Sequence, residues 1–220
     1  MPLQLTPTLY KFTKREFVDK ASFRFGTLYD YRDMEKHGPD IGDPREGSYS
    51  GNPWPNVPLK RAKFKPKFMG RQPFEWMWAK GHSADAKKAP HLTITSQDLL
   101  IYSLSREFKF EFFKSFNADV CLEVFNYVEF FGALHNRLPY RKETICHSPC
   151  LYPPKNEFSF TKPLPALPFW KAPEYAPQAE YRLCVSVACD PLSAVIVTAP
   201  EALRFCVARD KSSYAMRENF

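Results

Sequence analysis

Gln178 and Glu180 stand two positions apart in the stretch APQAEYRLCVSV, residues 176–187, where an apolar strand begins. On an extended backbone, side chains two apart share a face and lie about 6.6 Å from one another. Tyr181, Leu183, Val185 and Val187 form an alternating apolar row on the opposite face, the pattern of a half-buried strand. An amide and a carboxylate would then project together from a rigid support, into whatever lies on the far side of the sheet. The plainer alternative is an exposed strand mouth at which Glu180 pairs with Arg182. Two further groups carry polar chemistry. Ser103 and Ser105 alternate at the end of IYSLS, residues 101–105, and Tyr10-Lys11 lies within LYKF, residues 9–12. Strand-end serines also bond to backbone, so their hydroxyls have a purely structural use as well.

The net charge of +7 is unevenly spread. LKRAKFKPKFMGRQPFEWMWAKGH, residues 59–82, carries Lys60, Arg61, Lys63, Lys65, Lys67, Arg71 and Lys80 against a single acid, Glu75. Phe64, Phe68, Phe74, Trp76 and Trp78 lie between them. Cations for phosphates, interleaved with rings for base stacking, suit a single-stranded nucleic acid surface. A solvated basic loop whose aromatic residues fold back onto the core has the same composition. The six cysteines fit free thiols in a reducing compartment. Cys146-His147-Ser148-Pro149-Cys150 invites a metal reading, but no second pair at zinc-ligand spacing accompanies it, and no metal site is assigned. No P-loop, GxGxxG or paired-carboxylate hydrolase signature occurs. No apolar run approaches the roughly 18 residues of a transmembrane helix. The opening MPLQLTPTLYKFTKREF lacks the basic-then-apolar order of a signal peptide, so a cytoplasmic protein is expected.

The elements that position these groups follow from period and punctuation. The chain has 220 residues, 44% hydrophobic and 16% aromatic, which is enough for one folded domain. Its 21 prolines against 8 glycines favour ordered loops over long helices. Strands are expected at 9–12, 23–28, 91–95, 99–105, 119–125, 180–187 and 193–198. Thr13 and Glu16 have capping-box spacing, which predicts a helix from Lys14 to about Ala21. Val128, Phe131, Leu134 and Leu138 recur at helical spacing, and Pro139 ends that helix. Residues 200–208 read as a short helix or strand. The Gly-, Pro- and Asp-rich residues 31–58 are mostly loop, and the proline-rich residues 146–177 form an ordered loop across the surface. The sum is an α+β domain with a mixed or antiparallel sheet and two or three helices.

Tyr10-Lys11, Ser103-Leu104-Ser105 and Gln178-Ala179-Glu180 occur in an order that resembles the ADP-ribosyltransferase fold. Its three motifs are an Arg or His on the first strand, a Ser-Thr-Ser or Tyr element on a middle strand, and Gln-x-Glu or Glu-x-Glu on a later one. The chain is similar in particular to bacterial and phage proteins of that fold that open with LYKY and carry an N-D-P-F-E-G-like loop. The counterparts are LYKF at 9–12, FRFGTLYDYR at 23–32, IGDPREG at 41–47, IYSLS at 101–105 and AEYRL at 179–183. The basic insertion at about 59–88 and the proline-rich loop at about 146–177 match no motif. Departures are Lys11 in place of Arg or His, and Ser-Leu-Ser in place of Ser-Thr-Ser.

The resemblance implies a split-sheet fold and transfer of ADP-ribose from NAD to a nucleic acid or protein acceptor. It also implies a setting in toxin, phage or anti-phage systems, with an antitoxin or regulator as a possible partner. Glu180 matches the catalytic glutamate, which stabilises the positive charge that develops on the ribose as nicotinamide leaves. Gln178 matches the residue that orients the acceptor. Ser103 and Ser105 would brace Glu180 or line the nicotinamide pocket, and Tyr10 and Lys11 would hold the adenosine-side ribose or the phosphates. Arg24 and Arg45 are further candidates for phosphate contacts. On this reading Glu180→Ala abolishes transfer and leaves the fold intact. The competing class is a non-enzymatic module that binds a nucleotide, nucleic acid or partner, with Lys60, Arg61, Lys63, Lys65 and Lys67 as its working surface.

Overall fold

The computed structural model describes residues 7–38, 41–51, 77–81, 92–152, 167–188 and 192–215. The strands are β1 (Leu9–Thr13), β2 (Ser22–Thr27), β3 (Ser48–Gly51), β4 (Met77–Gly81), β5 (Leu92–Ser96) and β6 (Leu100–Ser105). After them come β7 (Val120–Val124), β8 (Lys142–Pro149), β9 (Glu180–Val187), β10 (Val195–Thr198) and β11 (Cys206–Asp210). All ladders between these strands are antiparallel. One sheet runs β10-β2-β6-β1-β7-β11, with β9 on β6 and β8 outside β9; β3, β5 and β4 form a separate sheet. The architecture is α+β, and no described helix is long and apolar enough to cross a membrane.

The sheet divides at β6. One edge of β6 pairs with β9 along its whole length, from Leu100↔Val185 to Ser105↔Glu180. The opposite edge is shared between β2, opposite Leu100 and Ile101, and β1, which meets it at Ser105. Between those contacts no described strand lies across from the Ser103 carbonyl, and the Lys11 ammonium donates to it at 2.9 Å. A lysine thus satisfies a backbone acceptor that the divided ladder leaves open.

Alternation decides what each face carries. Leu100, Tyr102 and Leu104 of β6 join Tyr181, Leu183 and Val185 of β9 in the main core, packed with Phe130, Phe131 and Leu134 of the helix Tyr127–Asn136. The other face holds Ile101 and Cys184 in a smaller cluster, and beyond them Ser103, Glu180 and Arg182. A third cluster of Phe12, Phe112, Phe113, Cys121 and Tyr214 uses the phenylalanines of residues 107–116.

Several local expectations change. The helix after β1 is only Arg15–Asp19, and its N-cap is Lys14 without a side-chain bond, because Thr13 completes β1 instead of capping. In the helix Tyr127–Asn136, Phe130 takes the core position and Val128 is 50% exposed; Asn126 caps it by accepting from the Glu129 N–H at 3.3 Å. Residues 142–149 form strand β8 where loop was expected from residue 146, since the edge of β9 is available to pair there. Residues 200–208 contain both options, a 3-10 helix Pro200–Phe205 and the start of β11.

Gly47 connects the 41–47 loop to β3. Its φ is +61°, a left-handed conformation, and a Cβ there would collide with the Leu28 side chain. Gly47→Ala is expected to cost about 3 kcal/mol, combining left-handed strain with overpacking. A urea titration measures it, and an unchanged midpoint would refute the assignment.

Candidate active site

Glu180 opens β9 opposite Ser105, and Arg182 lies opposite Ser103. The Glu180 side chain points to the sheet face away from the main core. Ser103 Oγ donates to its Oε1 at 2.5 Å, and Arg182 Nε donates to the same oxygen at 2.7 Å. Arg182 Nη2 and Lys171 Nζ reach Oε2 at 3.1 and 2.9 Å. Glu180 is only 6% exposed. Burial pushes its carboxyl up, but Arg182 and Lys171 outweigh burial and hold it well below the carboxylate range. The group is ionised at neutral pH.

A second carboxylate completes the cluster. Arg182 Nη1 donates to Glu46 Oε1 at 2.5 Å and to the Pro168 carbonyl at 2.6 Å. Burial raises the Glu46 carboxyl despite Arg182 and Lys171 nearby. The two glutamates thus lie on either side of one guanidinium and are shifted in opposite directions. Loop residues 41–47 are held over the face by Asp43, which accepts from the Ala172 N–H at 3.3 Å, and by the Tyr175 hydroxyl, which donates to the Gly42 carbonyl.

Gln178 is not on the strand, which corrects the sequence reading. It ends a 3-10 helix, Pro173–Gln178, and Ala179 turns the chain with φ +45°. The same-face argument for an extended backbone therefore fails. Gln178 and Glu180 nevertheless come together through a different device: Lys171 Nζ donates to Gln178 Oε1 at 2.8 Å as well as to Glu180. For Lys171, burial opposes the charge, and Glu180 and Glu46 restore it and raise its pKa.

The other candidates divide. Ser103 bonds to Glu180, whereas Ser105 Oγ lies 2.8 Å from both the Glu107 and Gln178 carbonyls and supports the turn instead. Tyr10 packs edge-on against Phe108 at 5.8 Å. The Lys11 ammonium touches the Ser103 carbonyl and lies 4.8 Å from the centre of the Tyr102 ring. Burial lowers it to about 8, with Glu180 opposing that shift and Arg24 adding to it. Arg24 donates to Asp30 at 3.1 Å. Arg45 pairs with Glu174 on the exposed rim, and solvent screening leaves such a pair little energy. Lys60, Arg61, Lys63, Lys65 and Lys67 lie outside the described residues, as does most of the basic insertion.

A cleft of about 220 Å³ gathers Tyr10, Lys11, Arg24, Ser103, Ser105, Gln178 and Glu180 in one wall system. A second cavity of about 240 Å³ shares Lys11, Phe12 and Arg24 with it and adds Lys14, Ser22 and Asn117, with no carboxylate among the described residues that line it. The Lys11 ammonium lies where the two meet, since Ser103 lines the first and Tyr102 the second.

Sequence reasoning missed Lys171, Glu46 and the Asp30–His37 pair, in which His37 Nε2 lies 3.0 Å from Asp30 Oδ2 beside the cleft. Glu46 carries a weak signal as the acid of IGDPREG. Lys171 carries none, because the proline-rich segment has no period. Comparison with protein-family models, curated proteins and solved structures finds no match to this chain.

Proposed function

We propose that the cleft binds NAD and that the protein transfers its ADP-ribosyl group to a macromolecular acceptor. The observation that carries this reading is the Glu180 carboxylate, bonded to Ser103 and linked through Lys171 to Gln178, in a cleft that Lys11 also lines. The division of the β6 edge between β1 and β2 supports a split-sheet, single-domain arrangement of the ADP-ribosyltransferase kind. In the reaction, the bond between the ribose C1′ and the nicotinamide nitrogen breaks and its electron pair leaves with nicotinamide. The acceptor donates an electron pair to C1′ and gives up its proton to water. Glu180 lowers the barrier by placing fixed negative charge against the ribose as its positive charge develops. Lys11 and Arg24 supply cations for the phosphates, Lys11 as a point charge without the bidentate fork of an arginine. A cytoplasmic location and a role in conflict between phage and host follow from the same reading.

Incubating the protein with labelled NAD and a whole-cell extract tests it. Label in the protein, RNA or DNA fraction is the expected result and identifies the acceptor class. Unconsumed NAD in the presence of folded protein would refute transfer.

A second reading, a binding module without turnover, is favoured by one observation. Four donors already surround Glu180, two of them on Arg182, so its negative charge is spent on protein cations. Under this reading ligands bind the cleft and Glu180 variants change stability alone.

A further inference from the structure

A carboxylate offers about four lone-pair sites. Glu180 uses them all: Ser103 Oγ and Arg182 Nε on Oε1, Arg182 Nη2 and Lys171 Nζ on Oε2. A ribose hydroxyl can donate to Glu180 only if one of these donors gives way. They are not equally free to do so. Arg182 is 1% exposed, and its Nη1 is tied to Glu46 and to the Pro168 carbonyl. Ser103 is carried by β6, paired in register with β9. Lys171 differs from both, because its ammonium ends a flexible four-carbon stem with three rotatable donors. It also has two other partners at hand, Gln178 Oε1 at 2.8 Å and the Tyr175 ring at 4.8 Å from its centroid. Leaving Glu180 therefore keeps the ammonium hydrogen-bonded and over an aromatic face, with the Glu46 carboxylate still near enough to favour its charge.

We propose that Lys171 is the exchangeable donor of this site: it occupies Glu180 Oε2 until a ribose hydroxyl replaces it, then stays with Gln178 and Tyr175. The inference rests on the reading that a ribosyl ligand enters this cleft. It adds that ligand affinity is set by competition with a residue of the protein. The exchange also moves one cation away from Glu180, so the carboxylate meets the developing ribose charge less compensated than before.

Calorimetric titration of ADP-ribose and NAD into wild type, Lys171→Met and Lys171→Arg tests this. Lys171→Met is expected to bind ADP-ribose about tenfold more tightly, the size of one charged hydrogen bond no longer displaced. Lys171→Arg gains nothing, because a guanidinium fork grips the carboxylate harder. Since loss of the ammonium can disturb folding, a crystal structure of wild type with ADP-ribose gives an independent measurement. Lys171 Nζ should then lie beyond hydrogen-bond distance of Glu180 Oε2. Equal or weaker binding by folded Lys171→Met, or Lys171 still bonded to Glu180 beside the ligand, overturns the proposal. If wild type binds NAD and the Met variant binds no better, only the exchange fails. If neither binds any ribosyl ligand, the reading of the cleft fails with it.

Discussion

Glu180→Asp is expected to lower transfer from NAD by at least a hundredfold while the protein stays folded. Aspartate keeps the negative charge between Arg182 and Lys171 but withdraws it by one methylene. A misplacement of roughly 1 Å in a reacting group costs on the order of 10² in rate, and loss of a preorganised electrostatic contact costs about 10² to 10³. Glu180→Ala is a poorer test than the sequence alone suggests. Glu180 is buried as the counter-ion of two cations, so its removal leaves Arg182 with Glu46 and takes the ion-pair partner from Lys171. Loss of activity in that variant would be mixed with loss of fold, contrary to the expectation that the fold is spared. Single-turnover rates and a melting curve on Glu180→Asp separate the two. Wild-type transfer by the aspartate variant would remove Glu180 from the chemistry, whereas ligand binding without turnover in wild type itself would point to the binding module.

What the sequence made legible is the part governed by period. LYKF, IYSLS and EYRLCVSV are strands because alternate apolar residues face one core, and β6 and β9 lie beside one another with Ser103 and Glu180 on a common face. That the three separated motifs belong to one site came from their order, which resembles that of the ADP-ribosyltransferase fold, and residues of all three line one cleft. The position of Gln178 was not, because Ala179 adopts a left-handed conformation that nothing in an alanine announces. Lys171 was hidden for a different reason. Its role comes from a tertiary contact made by an aperiodic segment, and such a contact leaves no repeat to read. Glu46 looked like one residue of a polar turn. It is buried because Arg182 has a donor to spare, and that is known only once β9 and the 41–47 loop are seen together. The plain alternative for Glu180, an exposed strand mouth paired with Arg182, holds in its pair and fails in its exposure, since both side chains are buried.

Arg182 is the residue on which that arrangement depends, and Arg182→Met is expected to destabilise the protein by about 3–5 kcal/mol, the usual cost of removing one partner from a buried ion cluster. Methionine fills part of the volume but satisfies neither glutamate. Glu180 would keep Ser103 and Lys171, Glu46 Oε1 would lose its guanidinium donor, and the Pro168 carbonyl would lose a partner. Against a typical total of about 5–15 kcal/mol, this is a large fraction of the stability. The pH dependence gives the prediction its sign. In wild type, Glu180 is held below its ordinary value of 4.5, so its stabilising contribution is present above that pH and is lost as pH falls through the folded-state pKa. Glu46 is raised, so it opposes folding as pH rises above 4.5 and its carboxyl must ionise in the cluster. Without Arg182 both carboxyls shift upward, and one of them folds more readily protonated. The deficit of Arg182→Met relative to wild type should therefore shrink as pH is lowered from 7 towards 5. Urea titrations at the two pH values measure it through the midpoint and its slope. A deficit below about 1 kcal/mol, the scale of an exposed pair, or one that grows on acidification, would mean that the cluster is not held together by Arg182.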